Sequence, residues 1–181
     1  MRILIINPPH PSIGSRIPDD HLPPLGLLCI GGPLLDDGHE VTLFDAEFGP
    51  ATLDEITSQV RETEPDIVLI GHSGSTSAHP VSAEIARRAK RVLPDLIVVY
   101  GGVFPTYHWA DILRDCPQFD IIVRGEGEET CRQLVRMLSA GGDLEGVAGI
   151  AMRTNGQPVA TSPRAMIDDL DAYRVGWELV D

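Results

Sequence analysis

Apolar residues in this chain gather in short, nearly unbroken runs, and amphipathic stretches separate them. The runs are residues 2–6 (RILII), 41–44 (VTLF), 67–70 (IVLI), 96–100 (LIVVY) and 119–123 (FDIIV). A short apolar run without alternation has both faces buried, which is how a strand inside a parallel sheet reads. Between the runs, apolar residues recur at helical spacing. Examples are Leu53, Ile56 and Val60; Val81, Ile85, Ala89 and Val92; Trp109, Ile112 and Leu113; and Cys131, Leu134, Val135 and Leu138. They predict helices over 25–37, from Thr52 to Pro65, from about 81, over 105–115 and over 128–139. Thr52 and Glu55 have the spacing of a capping box. Gly38 is a plausible C-cap, and Pro33 predicts a kink or break in the first helix because it cannot donate to Cys29.

Strand–helix units recurring about every thirty residues predict an α/β fold. The expected architecture is a five-stranded parallel doubly wound sheet, Rossmann/flavodoxin-like, of order 2-1-3-4-5. Residues 67–70 are then the central strand. Beyond the last unit, 147–153 and 158–161 flank Asn155-Gly156, a hairpin turn signal. The acidic stretch 167–181, with Tyr173 and Trp177, reads as a linker or docking segment. This divides the chain into a domain over 1–145 and a hairpin with linker over 146–181.

Composition narrows the partners. The net charge of −13 leaves no basic footprint for nucleic acid. Cys29, Cys116 and Cys131 are scattered and odd in number, so free thiols in a reducing cytoplasm are expected rather than a disulfide framework. The start of the chain lacks the pattern of a signal peptide. Its longest nearly apolar segment, 22–35, is short for a bilayer span and is interrupted by Gly and Pro.

The chemistry concentrates at the carboxyl ends of the strands, where open α/β sheets bind ligands. The first strand ends in Asn7-Pro8-Pro9-His10, and a long proline-rich loop follows. The third ends in Gly71 and a hydroxyl-rich run, Ser73-Gly74-Ser75-Thr76-Ser77. The fourth ends in Gly101-Gly102-Val103-Phe104, and the fifth in Gly125-Glu126-Gly127-Glu128. Glycines there let a ligand approach the backbone, and hydroxyls offer neutral hydrogen bonds. The pattern suits a large polar cofactor rather than acid–base catalysis. The dinucleotide fingerprint GxGxxG is absent, as are a GKS/T phosphate loop and the acidic constellation of a phospho-receiver.

NPP, PPLGLL, DGHEV, DIVLIGHSGST, YGGVFPT, DIIVRGEGEET and the closing DDLDAYRVGWELVD together resemble the cobalamin-binding domain of cobalamin-dependent radical S-adenosylmethionine enzymes. Within that family the chain is most similar to the anaerobic oxidative cyclases of bacteriochlorophyll synthesis. The resemblance implies cobalamin as cofactor, with its nucleotide tail between the sheet and its helices. Ser73, Ser75 and Thr76 would line the base or phosphate, Gly101 and Gly102 would let the tail pass, and Gly125 to Glu128 would flank the dimethylbenzimidazole, with Gly74, Val103 and Phe104 counted among the cofactor-binding residues. The corrin would lie near Pro8, Pro9, His10, Ser12, Leu25 and Gly26.

Cobalamin domains such as that of methionine synthase carry DxHxxG, whose His ligates cobalt. Here His10 has Pro8 two residues before it, and His21 has Pro24 where Gly belongs. The resemblance therefore implies a tail base held off the cobalt with no His replacing it, and His10 is the candidate ligand should one exist. His72 and His79 read as loop and cap residues, and His108 as a surface residue. The CxxxCxxC of the catalytic half is absent from the sequence. Alone the chain is not expected to cleave S-adenosylmethionine. A C-terminal radical S-adenosylmethionine domain with a 4Fe-4S cluster would act on the porphyrin substrate and form its fifth ring. The alternatives are a stand-alone cobalamin carrier or sensor, a nucleotide-binding Rossmann-like enzyme, and a scaffold whose groove Pro33, Val103 and Phe104 narrow.

Overall fold

A computed structural model describes residues 1–9, 22–48, 51–72 and 76–180. The strands are β1 (Arg2–Asn7), β2 (Glu40–Asp45), β3 (Ile67–His72), β4 (Ile97–Gly102), β5 (Ile121–Val123), β6 (Ile150–Thr154) and β7 (Gln157–Ala160). They form one sheet of order β2-β1-β3-β4-β5-β6-β7. The first five are parallel in the expected order, and the hairpin continues the same sheet as two antiparallel strands. Its turn residues Asn155 and Gly156 both have positive φ, 52° and 76°, as a two-residue type I′ turn requires.

Both faces of the parallel strands are covered, so side chains of period two feed two cores. Leu4, Ile6, Val68, Ile70, Val98, Tyr100 and Ile122 pack with α2 (Leu53–Thr63), α3 (Ala78–Val92) and α4 (Val103–Asp115). Ile3, Ile5, Ile67, Leu69, Val99, Ile121 and Val123 pack with α1 (Leu25–Asp36) and α5 (Glu128–Ser139).

Local signals hold at α2. Thr52 Oγ1 accepts from the Glu55 N–H at 3.2 Å, and the Glu55 carboxylate accepts from the Thr52 N–H at 2.7 Å. At α1, Gly38 N–H donates to Leu35 and His39 N–H to Leu34, which closes a Schellman motif on a Gly38 of φ +80°. Two expectations shift. Helix α1 runs through Pro33 unbroken, and the departure from helical dihedrals lies instead at His108 in α4. Helix α3 begins at Ala78, and its buried stripe is Ala78, Ser82, Ile85, Ala86 and Ala89. Ser82 fits there because its hydroxyl donates to the Ala78 carbonyl at 2.8 Å. The basic residues of α3 are largely paired: Arg87 and Arg88 with Glu84, Arg88 with Asp54 of α2, and Lys90 with Asp120.

Residues 163–180 lie against α1 and α5 rather than trailing away. Gly176 N–H donates to the Leu28 carbonyl at 3.0 Å, and Arg174 grips Asp36 at 2.8 Å. This seat occupies the side of α1 where Pro33 and its neighbouring glycines lie. A Cβ on Gly32 would stand 2.1 Å from the Arg174 carbonyl oxygen.

Asp37 joins α1 to α5. Arg132 donates to its carboxylate at 2.7 and 2.9 Å and Arg136 at 2.8 Å. These guanidinium hydrogen bonds hold the Asp37 carboxyl well below the usual carboxylate range. A depressed folded-state pKa stabilises above the unfolded value of about 4 and loses that stabilisation as pH falls through the folded value. Asp37→Asn is therefore expected to cost about 1–2 kcal/mol at neutral pH, between an exposed and a buried pair. In urea melts the deficit should shrink steadily below pH 4, and a deficit independent of pH would contradict the pairing.

Candidate functional site

In the strand order β2-β1-β3, the connections leave β1 and β3 toward opposite layers, and a crevice results at their carboxyl ends. A cleft of about 500 Å³ lies there on the α1/α5 side of the sheet. Its buried floor is apolar: Leu69, Val99 and Val123 from the strands, Leu27 from α1 and Cys131 from α5. Burial pushes the Cys131 thiol up to about 12, so it behaves as a small neutral apolar group.

The walls are the first turns of two helices. Leu22, Pro23, Pro24, Leu25, Gly26 and Ile30 form one, and Gly125, Glu126, Gly127, Glu128 and Cys131 the other. Helix α1 has no side-chain cap and no acidic residue in its first turn. Among the described residues, a Cβ on Gly26 would meet nothing within 4 Å. The walls close lower down, where a Cβ on Gly127 would come within 3.0 Å of Ile30 Cδ1 and one on Gly71 within 2.6 Å of Leu27 Cδ2.

Polar groups stand at the rim. Asn7, 5% exposed, donates through its amide to Asp45 Oδ1 at 2.8 Å and Glu47 Oε2 at 3.2 Å, tying the end of β1 to that of β2. Glu47 and His72 also line the cleft. Among the described residues, no group of three or more His, Cys, Asp or Glu side chains could hold a metal ion. An apolar floor beside the first turn of α1, which carries no acidic residue, suits a bulky organic group with its anionic portion on that side, since Glu47, Glu126 and Glu128 make the rest of the rim acidic.

Nine predicted residues line the cleft: Leu25, Gly26, Gly101, Gly102, Val103, Gly125, Glu126, Gly127 and Glu128. Four described ones do not. Pro8 is buried and Pro9 half-buried beyond the end of β1. Thr76 is exposed ahead of α3, and its carbonyl accepts from His79 N–H at 3.2 Å. Phe104 turns to the opposite layer, stacked on His108 with centroids 4.4 Å apart and tilted on His79 at 4.9 Å. His10, Ser12, Ser73, Gly74 and Ser75 lie outside the described residues. His72 ends β3 in the cleft wall, and His108 is exposed as expected. His79 sits against Tyr100, Phe104 and Phe119, more enclosed than a cap residue, and burial lowers its pKa.

Sequence reasoning named Asn7 at the end of β1 without making it a site residue, and it missed Glu47, Leu27, Ile30, Leu69, Val99, Val123 and Cys131. The strand members were findable. Leu69, Val99 and Val123 share one parity with the residues facing α1 and α5, and a cleft on that layer must expose them. Glu47 follows β2, and the sequence offers no glycine until Gly49 and no hydroxyl until Thr52, so nothing at the strand end itself flags it.

Comparison with known proteins agrees with this geometry. Residues 17–135 match the B12 binding domain model. The chain is 62% identical over its full length to an anaerobic magnesium-protoporphyrin IX monomethyl ester cyclase of Synechocystis sp., covering 36% of that protein. It is 32% identical over its full length to the enzyme of the same name from Rubrivivax gelatinosus, covering 33%. The chain thus spans about a third of the length of these curated relatives. A radical S-adenosylmethionine methyltransferase of Kitasatospora setae, solved with cobalamin and a [4Fe-4S] cluster, superposes over 97% of this chain and 30% of its own with a TM-score of 0.74. At 21% identity that likeness speaks for the fold. With its family model matched over the greater part of its length, and with a cleft at the β1/β3 switch point, the chain belongs to the B12-binding domain family.

Proposed function

We propose that this chain is the cobalamin-binding module of a radical S-adenosylmethionine enzyme. The activity of the whole protein would be anaerobic cyclisation of magnesium-protoporphyrin IX monomethyl ester. The observation that carries the binding role is the apolar cleft of about 500 Å³ between two helix N-termini at the strand ends. That volume suits a nucleotide-sized group, since small-molecule sites run from about 300 to 1,000 Å³. The corrin would then rest outside it, across the strand tips. Identity of 62% over the whole of this chain and 36% of a cyclase supports the wider reading.

The chain's residues have separable tasks in this reading. Leu69, Val99, Val123 and Cys131 would exclude water from the base. The N–H groups at the start of α1 would meet the phosphodiester with no carboxylate in that helix turn, and among the described residues nothing stands against Gly26 on that approach. Gly125 to Glu128 would flank the base from the other wall. Bound cobalamin would supply a redox-active cobalt centre at the edge of the domain. Residues 146–181 would lead toward a radical S-adenosylmethionine domain that brings S-adenosylmethionine, a 4Fe-4S cluster and the porphyrin. The proposed location is the cytoplasm, a reducing compartment that suits the unpaired Cys29, Cys116 and Cys131.

Titration of the purified chain with hydroxocobalamin tests the binding role. The expected result is a saturable change in the visible spectrum, unaffected by excess flavin mononucleotide or NAD, and a base-off spectrum in the cob(II)alamin state. Saturable binding of a nucleotide with no response to the corrinoid would overturn it. A nitrogen-ligated spectrum abolished by His10→Ala would keep the cofactor and correct the ligation.

A further inference from the structure

Residues 163–180 touch both walls of the cleft from outside it. On one wall, α1 presents Leu25, Gly26 and Ile30 to the cleft, while the strap is held by Leu28, Gly31, Gly32 and Asp36. Gly176 N–H donates to the Leu28 carbonyl at 3.0 Å, and Arg174 donates to Asp36 at 2.8 Å and to the Gly32 carbonyl at 3.3 Å. Gly31 and Gly32 form a notch for this contact: a Cβ on Gly31 would stand 2.4 Å from Leu179 Cδ1, and one on Gly32 2.1 Å from the Arg174 carbonyl oxygen. Two adjacent glycines weaken a helix, so the notch has a structural reason that the cleft does not supply.

On the other wall, Ile167 N–H donates to Glu126 Oε2 at 2.6 Å, and Glu126 lines the cleft. Arg164 donates to Thr130 Oγ1 at 2.8 Å and to the Ala148 carbonyl at 3.2 Å, beside the first turn of α5. The Tyr173 hydroxyl reaches Glu129 at 3.4 Å. Below the cleft the two helices are joined by Asp37 with Arg132 and Arg136. The walls thus have a fixed joint at one end and a continuous strap across their outer sides.

We propose that residues 163–180 are a clasp that sets the separation of the cleft walls, so that strap docking and occupation of the cleft favour one another. Linkage makes the effect reciprocal: a ligand that needs the walls at their docked spacing tightens the strap, and a released strap weakens the ligand. The ligand half of this inference rests on the cobalamin reading. The mechanical half does not.

Hydrogen–deuterium exchange on the intact chain separates the two. Gly32→Ala places a methyl group where the strap backbone lies, yet favours the helix it sits in. Arg174→Glu sets a like charge against Asp36 on an exposed side chain. Without ligand, both variants should exchange faster in 163–180 and also in the wall peptides 25–30 and 125–131. Faster exchange confined to the strap, or no change in the strap, would overturn the clasp. If Gly32→Ala loosens the sheet as a whole, Arg174→Glu decides. With hydroxocobalamin, exchange of 163–180 in the unaltered chain should slow, and each variant should bind about fivefold or more weakly. Loosened walls with unchanged affinity would overturn the coupling. Absence of any hydroxocobalamin binding by the unaltered chain would sink the cofactor reading alone, since the ligand-free exchange still decides the clasp.

Discussion

Gly26→Trp is expected to lower affinity for hydroxocobalamin roughly 100-fold or more while leaving the fold intact. The position lines the cleft at the first turn of α1, and among the described residues a Cβ there meets nothing within 4 Å. An indole has room to enter, and the room it takes is the mouth through which a nucleotide tail must pass. Little opposes the substitution in the apo chain, because Gly is the poorer helix former and the site is exposed. Melting should therefore stay within about 0.5 kcal/mol of the unaltered chain. Gly26→Ala is the control, with near-normal binding expected. Full affinity in the tryptophan variant would mean that the tail does not use this cleft.

Gly102→Val is expected to act on the fold itself. Gly102 ends β4 with φ +113°, a conformation strained for any residue with a Cβ, and that Cβ would stand 2.4 Å from the His72 carbonyl oxygen. The opposing atom belongs to the backbone of β3, which is paired residue by residue with β4 up to His72 and Gly102. It cannot swing aside. A loss of about 4 kcal/mol or more follows, a thermal shift of roughly 10 °C for a domain of this size. A melt unchanged by the substitution would contradict the geometry at this strand end. The glycine is thus explained by the sheet. Gly101, where a Cβ would be 3.5 Å from Val123 Cβ, has no such requirement.

The layered architecture was legible because its determinants are local. Unbroken apolar runs mark strands buried on both faces, Asn155-Gly156 marks the hairpin, and Thr52 with Glu55 marks the start of α2. What escaped was set by contacts distant in sequence. Pro33 promised a kink, but α1 stays continuous beside a strap nearly 150 residues later that seats on Gly31 and Gly32. The start of α3 was misread because Ala78 and Ser82, rather than larger apolar residues, fill the tight space above the sheet.

The cleft was legible at its rim and not at its floor. Glycines after β4 and β5 announce themselves, whereas Leu69, Val99 and Val123 look like any strand residue until the helix layers are assigned. Phe104 shows the converse. It adjoins the Gly101-Gly102 pair in sequence, yet the helix beginning at Val103 turns successive side chains by about 100°, so Val103 meets the cleft and Phe104 the opposite core. For the same reason the two residues do not jointly narrow the groove.

The most direct test compares hydroxocobalamin with cobinamide, the corrinoid that lacks the nucleotide tail, in equilibrium titrations of the same chain. If the cleft between α1 and α5 holds the tail, cobinamide should bind roughly 30-fold or more weakly, and Gly26→Trp should reduce cobalamin affinity toward that of cobinamide. Equal affinities for the two corrinoids would contradict the assignment, because the domain would then be holding the ring alone.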